Sequence, residues 1–137
     1  MIAYIEHANI SVSSLHEGIR FFKTAFPHFY IRGKGRSGNE EWVHFGTKET
    51  YVALNIASVL KEEDDRYVRA GFNHLGYVVK DSGAVAKRLI DAGYKRSYPR
   101  QEESSRIREY FFDADGNEYE FIEYLTEKWT ERNNYED

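Results

Sequence analysis

The sequence contains no cysteine and only two prolines among its 137 residues. Without cysteine, the chain has neither a disulfide framework nor a thiolate site. It also lacks a basic excess, because its net charge is −4, so no electrostatic attraction to nucleic acid is expected. No apolar run approaches the roughly 20 residues of a membrane-spanning helix. The N-terminal sequence MIAYIEH lacks the basic and apolar regions of a signal peptide, so we expect a cytoplasmic protein without nucleic-acid or membrane partners.

The composition is that of an ordered globular protein, with 41% hydrophobic and 16% aromatic residues. The most informative segment is residues 108–124, REYFFDADGNEYEFIEY, in which two aromatic-rich strands flank a turn sequence. Glu120 lies in the middle of the second strand, between Tyr119 and Phe121. A carboxylate at such a position must face solvent, pair with a positive charge or bind a metal.

The residue pattern predicts the order strand, helix and three strands, and this order occurs twice. Strands are predicted over residues 2–12, 29–31, 41–46, 51–57, 72–79 and 94–98 and in the two arms of 108–124. Helices are predicted to begin near Ser14 and near Asp81 and to end at Pro27 and at Gly93. The glycine-rich segment 33–38, GKGRSG, is predicted to be a flexible turn, and residues 101–105 a polar loop.

The two halves of the sequence also align with each other at an offset of 67 residues. The aligned pairs include His7 with His74, Phe45 with Phe112, and Ala53 with Glu120. We therefore predict an α+β fold in which two tandem βαβββ modules form a curved mixed sheet. The expected single domain consists of a module at 1–57, a connector at 58–71, a module at 72–124 and a polar tail at 125–137.

Three residues of this repeat have side chains that bind metals. Side chains alternate between the faces of a strand, so His7 and His74 are expected on the face that the helices leave open. Glu120 joins them if its strand runs beside theirs. Two imidazoles and one carboxylate suit a divalent metal ion with positions left for water and substrate. For either histidine alone, a structural or exposed role is the open alternative.

The segments IEHANISV, FNHLGYVV and DADGNEYEFIEY resemble the vicinal-oxygen-chelate superfamily over about residues 2–124. This superfamily includes glyoxalase I (lactoylglutathione lyase), bleomycin-resistance proteins, fosfomycin-resistance thiol transferases and extradiol dioxygenases. The resemblance implies the glyoxalase/bleomycin resistance-type fold and a homodimer. It also implies an enzyme with one divalent metal ion, held by His7, His74 and Glu120, in which Glu120 is also catalytic. Whether such a site lies within one chain or is shared across a dimer stays open.

One position departs from the pattern of glyoxalase I. Ala53 stands where that enzyme has a fourth ligand, and a methyl group cannot bind metal. The reaction therefore stays open among lyase or isomerase chemistry, thiol transfer and ring-cleaving oxygenation, and the metal among Fe, Zn, Mn and Ni. The alternative is a metal-free protein of the bleomycin-resistance type that binds and sequesters a small molecule.

The expected substrate is a small oxygen-chelating molecule in an aromatic-lined cup. The candidate substrate contacts are Asn55, Tyr51, Tyr110, Arg108, Trp42 and His44. Asn55 lies two residues after Ala53 on the same strand face, and His44 is a candidate acid–base group for an oxygenase. Glu6, Glu118 and Glu123 are interpreted as solvated charges on strands.

Overall fold

The computed structural model describes residues 3–60 and 66–133. The chain divides into two compact units, Met1–Asp64 and Asp65–Asp137. Within the described residues, each unit contains one α-helix and a four-stranded sheet. No helix in this part of the chain is long and apolar enough to cross a membrane.

The first unit has the predicted order of one strand, one helix and three strands. Its elements are β1 (His7–Val12), α1 (Leu15–Ala25), β2 (Tyr30–Ser37), β3 (Glu40–Gly46) and β4 (Tyr51–Ile56). The sheet order is β1-β4-β3-β2, in which β1 is parallel to β4 and the other pairs are antiparallel. The Ser14 side chain caps α1 by accepting a hydrogen bond from the Glu17 N–H at 3.2 Å. Apolar side chains of α1 bury themselves against the sheet, and Gly18 lets the helix approach Leu54 closely.

The second unit repeats this architecture. Its elements are β5 (His74–Val78), α2 (Ser82–Asp91), β6 (Arg96–Glu102), β7 (Arg106–Phe112), β8 (Glu118–Tyr124) and a 3₁₀ turn at Trp129–Glu131. The sheet order is β5-β8-β7-β6, with β5 parallel to β8. Asp81 caps α2, and the N–H and hydroxyl of Ser82 both donate to the Glu123 carboxylate at 2.9 Å. Glu123 is therefore not the solvated charge expected from the sequence, because it binds the N-terminus of α2.

The α+β class and the tandem βαβββ order are confirmed. The division into modules, connector and tail stays a prediction, and residues 1–2, 61–65 and 134–137 of those segments lie outside the described residues. The first strand begins at His7 rather than near the N-terminus, and the strand expected at 94–98 runs instead over Arg96–Glu102.

The internal repeat is not free of gaps. Phe45 of β3 lies opposite Val52, whereas Phe111 rather than Phe112 lies opposite Tyr119, the counterpart of Val52. One more residue separates β7 from β8 than separates β3 from β4, and it accounts for the shift. Strand β3 is consequently offset from β7 by 66 residues, not 67.

The predicted flexible turn at 33–38 is wrong, because β2 continues through most of this segment. Gly33 pairs with His44 and Gly35 with Trp42 in the ladder between β2 and β3. The indole ring of Trp42 lies so close to Gly35 that an added Cβ would come within 2.8 Å of it. These glycines make room for an aromatic side chain, and of those in the segment Gly38 alone adopts a left-handed turn conformation, with φ 64°.

Candidate active site

One face of the sheet in the second unit gathers titratable side chains from three strands. His74 on β5 lies opposite Glu118 on β8, and Tyr110 on β7 lies opposite Glu120. Paired residues share a face, and residues two apart on a strand do so as well. The strand register therefore places all four side chains on one face of this sheet.

Glu120 is only 8% exposed, and its two oxygens have different partners. Its Oε1 accepts a hydrogen bond from the Tyr110 hydroxyl at 3.0 Å, and its Oε2 lies 3.1 Å from His74 Nε2. Arg108 Nη1 lies 4.0 Å from Oε1. A buried carboxylate without partners costs several kcal/mol, so these contacts explain how Glu120 is accommodated.

Tyr110 and Arg108 supply donors beside Glu120. Burial and the neighbouring Glu120 charge raise the pKa of Tyr110 to about 12, so its phenol is protonated at neutral pH. Arg108 Nη1 donates to the Tyr110 oxygen at 3.0 Å, and its Nη2 donates to Glu103. Arg108 Nε is buried and has no hydrogen-bond partner within the described part of the chain. One guanidinium N–H is therefore left for a further acceptor.

His74 also faces a second buried carboxylate. Glu118 is 6% exposed and accepts a hydrogen bond from the Tyr67 hydroxyl. The same hydroxyl oxygen lies 3.5 Å from His74 Nδ1, and Glu118 Oε1 lies 3.7 Å from that nitrogen. The expectation that Glu118 is a solvated strand charge is thus wrong, because its register opposite His74 places it on the buried part of this face.

The open face of the sheet in the first unit carries a stack of rings, here called the aromatic ladder and formed by Trp42, His44, Tyr51 and His7. The ring centroids of successive members lie 4.9, 4.8 and 4.8 Å apart. The register explains the stack, because His7 lies opposite Tyr51 and His44 lies opposite Ala53, two residues further along β4. The ladder offers a polarisable ring surface with two imidazoles, whose successive rings are inclined to each other by 44°, 31° and 17°.

Charged groups flank the ladder at its His7 end. Glu6 Oε1 lies 2.9 Å from His7 Nδ1 and accepts a hydrogen bond from the Tyr51 hydroxyl at 3.2 Å. These two hydrogen bonds hold the pKa of Glu6 below its usual range. The Arg32 guanidinium lies 4.0 Å from the centroid of the Tyr51 ring. The first unit therefore also surrounds its candidate ligand histidine with a carboxylate and a tyrosine.

In the first unit, Ala53 stands at the position where glyoxalase I has its fourth ligand, and neighbouring residues bury it. Ala53 is 5% exposed and pairs with His44. Through the one-residue shift between the halves, His44 occupies the place that Tyr110 has in the second unit. Asn55 lies opposite Trp42, and its amide donates to Ser11 at 3.3 Å.

Each unit thus brings together a part of the predicted site. In the second unit, His74 and Glu120 are in contact, with Tyr110 and Arg108 beside them. In the first unit, the aromatic ladder contains His7 and three of the candidate substrate contacts. Among residues 3–60 and 66–133, no group of three or more His, Cys, Asp or Glu side chains is arranged to hold a metal ion.

The pair of His74 and Glu120 nevertheless fits two ligands of one metal ion. Ligand atoms about 2.1 Å from a metal, at tetrahedral or octahedral angles, lie about 3.0–3.4 Å apart. The 3.1 Å between Nε2 and Oε2 falls in this interval. Imidazole and carboxylate are accepted by Fe, Zn, Mn and Ni, so the donor atoms do not select among these metals.

Two residues of this site, Glu118 and Tyr67, were not predicted from the sequence to belong to it. Strand alternation alone could have identified Glu118, since it lies two residues before Glu120 and so shares its face. No such signal marks Tyr67, because it lies in the polar connector between the two modules, where no periodicity relates it to a face of the sheet.

Fold and sequence together define the class of protein. The sequence matches the Glyoxalase/Bleomycin resistance protein/Dioxygenase superfamily over residues 4–121. The chain therefore belongs to this superfamily. No curated protein shows a significant match to the sequence.

Solved structures share the fold at low sequence identity. A glyoxylase/bleomycin resistance protein/dioxygenase domain from Frankia sp. EAN1pec is 19% identical, with a TM-score of 0.76 over 93% of this chain and 96% of that one. The fosfomycin resistance protein FosX from Mesorhizobium loti is 20% identical, with a TM-score of 0.71 over 96% of this chain and 98% of that one. FosX from Listeria monocytogenes is 16% identical, with a TM-score of 0.72 over 97% and 100%. At these identities the similarity shows the fold alone.

Proposed function

We propose that the chain is a metal-dependent enzyme of its superfamily that acts on a small oxygen-chelating substrate. His7, His74 and Glu120 are the proposed ligands of one divalent metal ion. The observation that carries the proposal is the 3.1 Å contact between His74 Nε2 and Glu120 Oε2 on a face lined by donors. His7 is included because it has the same place in its own unit as His74, at the start of the first strand.

In this proposal, the metal ion and the residues around the His74–Glu120 pair have different roles. When bound, the metal supplies Lewis-acid chemistry that polarises an oxygen of the substrate. Arg108 provides its remaining donor, the Nε–H, which can stabilise negative charge on a substrate oxygen, while the Tyr110 hydroxyl holds Glu120 in place through its own hydrogen bond. Glu120 is also the carboxylate of the site that can take up a proton. Ala53 removes the carboxylate that glyoxalase I has at the fourth-ligand position, so proton transfer between two metal-binding carboxylates is the least favoured of the three chemistries.

Metal content tests the ligand set directly. Protein purified without chelators or a metal-affinity tag should contain about one metal ion per chain by elemental analysis. Glu120→Ala, His74→Ala and His7→Ala should each lose most of that metal, because removal of one of three ligands weakens binding sharply. His16→Ala is the matched control, since it removes an exposed imidazole from α1. Equal metal content in all these proteins would refute the assignment.

A metal-free binding protein of the bleomycin-resistance type is the second candidate. One observation favours it: both oxygens of Glu120 already have partners within the chain. In that case Fe(II), Zn, Mn and Ni would all fail to bind in a titration, whereas a small planar ligand would quench the fluorescence of Trp42 in the aromatic ladder. Fosfomycin is one compound to test, given the names of two structural neighbours.

We further infer that the protein acts as a cytoplasmic homodimer without nucleic-acid or membrane partners. The superfamily supports the dimer and the small-molecule substrate, and the net charge of −4 supports the lack of a nucleic-acid partner. Light scattering coupled to size exclusion should give twice the chain mass of 16.1 kDa. A mass equal to one chain would refute the dimer.

A further inference from the structure

We propose that Arg108 and Arg132 form a subsite for an oxyanion, the carboxylate or phosphate group of a substrate, on the sheet face that carries Glu120. The inference rests on the proposed function only in making this group part of the molecule that the metal would bind. It adds a substrate class, because the substrate then carries a negative charge in addition to its chelating oxygen. Three observations lead to it: two guanidinium N–H groups without partners among the described residues, their place on one face, and an excess of positive charge there.

Guanidinium groups account for two of the three buried side-chain polar atoms that lack a hydrogen-bond partner within residues 3–60 and 66–133. These two atoms are Nε of Arg108 and Nε of Arg132. An arginine in a protein stays protonated, so each Nε–H remains a donor. A buried donor without an acceptor is costly, and an acceptor from outside the chain removes that cost. The acceptors that suit a guanidinium best are carboxylate and phosphate.

The two arginines lie over neighbouring positions of the same face. Arg108 on β7 lies opposite Ile122 on β8, and its Nη1 is 4.0 Å from Glu120 Oε1. Tyr124 lies two residues beyond Ile122, about 7 Å along the strand, and shares its face. The Arg132 guanidinium lies 4.9 Å from the centroid of the Tyr124 ring. An oxyanion bound between these positions is therefore within one small molecule's length of Glu120.

The segment after β8 anchors the backbone around Arg132. The carbonyl oxygen of Arg132 accepts a hydrogen bond from the Ser105 hydroxyl at 3.2 Å. The neighbouring Asn133 Oδ1 accepts one from Arg106 Nη1 at 2.5 Å, and Arg106 lies opposite Tyr124. The backbone is thus held in place, whereas the Nε–H of Arg132 has no partner in the described part of the chain. A side chain placed in this way binds a ligand at a lower ordering cost.

Positive charge exceeds negative charge at this end of the face. Among the described residues, its contacts involve three arginines, at 106, 108 and 132, and two glutamates. Glu103 accepts hydrogen bonds from both Arg106 and Arg108, so it compensates only one of the positive charges. Glu120 is the second carboxylate, and in the proposed function its charge serves the metal ion. The excess attracts an anion from solvent. The Arg108 side chain is 23% exposed, so the anion can reach it, and a small rotation of the guanidinium brings Nε–H to the anion.

Titration with inorganic phosphate and with acetate tests the subsite, because these probes carry its two candidate groups. Nitrogen-15 NMR of protein with labelled arginine reads each Nε–H signal directly, and chloride at equal ionic strength is the reference. The Nε–H signals of Arg108 and Arg132 should shift saturably with at least one probe, and the probe that binds more tightly identifies the substrate group. The signal of Arg106 should stay in place, because its Nε already donates to Glu103 at 2.6 Å. Shifts no larger than those with chloride, or equal shifts at Arg106, would overturn the inference.

Arg132→Gln and Arg108→Lys should each weaken binding of that probe about tenfold or more, because each removes a charge-assisted hydrogen bond. Arg132 lies after the last strand, so its variant covers the case in which Arg108→Lys fails to fold. Arg36→Gln is the matched control, since it removes an exposed guanidinium that pairs with Glu41 in the first unit. Unchanged binding in either folded subsite variant would overturn the inference.

His7→Ala separates this inference from the proposed function, because it removes a proposed metal ligand of the first unit and leaves both arginines in place. Anion binding should be the same in His7→Ala as in the wild type. Loss of the shifts in His7→Ala would mean that the anion binds the metal, and would overturn the subsite. Anion binding by a wild type that holds no metal would support the subsite and refute the proposed metal site. A protein that contains metal but shows no Nε–H shifts would support the metal site and overturn the subsite.

Discussion

Glu120 is a buried carboxylate whose two oxygens contact different groups, so its surroundings can be tested one donor at a time. Tyr110→Phe removes the hydroxyl that donates to Oε1 at 3.0 Å and leaves that oxygen without this bond. The free energy of unfolding should fall by about 1–3 kcal/mol, the usual cost of an unsatisfied buried polar group. Urea denaturation monitored by circular dichroism measures this difference.

The control for this change is Tyr98→Phe. Tyr98 is 56% exposed and contacts the Tyr110 ring through its own ring, which phenylalanine keeps. Its free energy of unfolding should change by less than about 0.5 kcal/mol. An equal loss in the two variants would mean that the hydroxyl of Tyr110 is not important for holding Glu120.

Single residues also show how far the sequence could predict the candidate site. The repeat identifies His74 as the counterpart of His7, strand alternation places Glu120 on the same face if the strands are adjacent, and the two side chains are in contact. Both signals are patterns that a sequence displays. Tyr67 could not be found this way, because its contact with Glu118 joins residues 51 positions apart through a segment without periodicity. The roles of His7, His74 and Glu120 as metal ligands stay predictions.

At the scale of elements, the glycines of β2 leave room for the indole ring of Trp42 to pack against the strand. An added Cβ at Gly35 would lie 2.8 Å from that ring, whereas at Gly33 the nearest atom lies at 4.0 Å. Gly35→Ala should therefore displace Trp42, cost about 1–3 kcal/mol of stability by overpacking, and shift the tryptophan fluorescence. Gly33→Ala, on the same strand, should do neither. Matching spectra and stabilities for the two variants would show that the ladder does not depend on this close packing.

The glycine-rich segment also explains why element prediction failed there. Three glycines within six residues favour a turn when only local propensity is considered. The strand forms because the pairing with β3 and the cover of Trp42 outweigh that propensity. The sequence also gives no sign that β3 is offset from β7 by 66 residues and not 67. The turn before β8 is one residue longer than the turn before β4, so the strands before and after this region still align at an offset of 67.

At the scale of the whole molecule, the chain is a tandem repeat whose halves have diverged in chemistry. The second unit keeps a buried carboxylate at Glu120, and the first has Ala53 at the corresponding place. In compensation the first unit presents the aromatic ladder, with His44 where the second has Tyr110. The sheet of the second unit therefore presents charge and hydrogen-bond donors, whereas the sheet of the first presents ring surface.

The proposed ligands belong to both units, so metal binding should stabilise the entire chain and not one half of it. A ligand that binds only the folded state adds about 2.7 kcal/mol at 100 times its dissociation constant. Calorimetry with added zinc should consequently raise the midpoint of a single unfolding transition in the wild type. His7→Ala, altered in the first unit, and His74→Ala, altered in the second, should both abolish the shift, whereas His16→Ala should retain it. A shift that survives in His7→Ala but not in His74→Ala would restrict the metal site to the second unit, where His74 and Glu120 already contact each other.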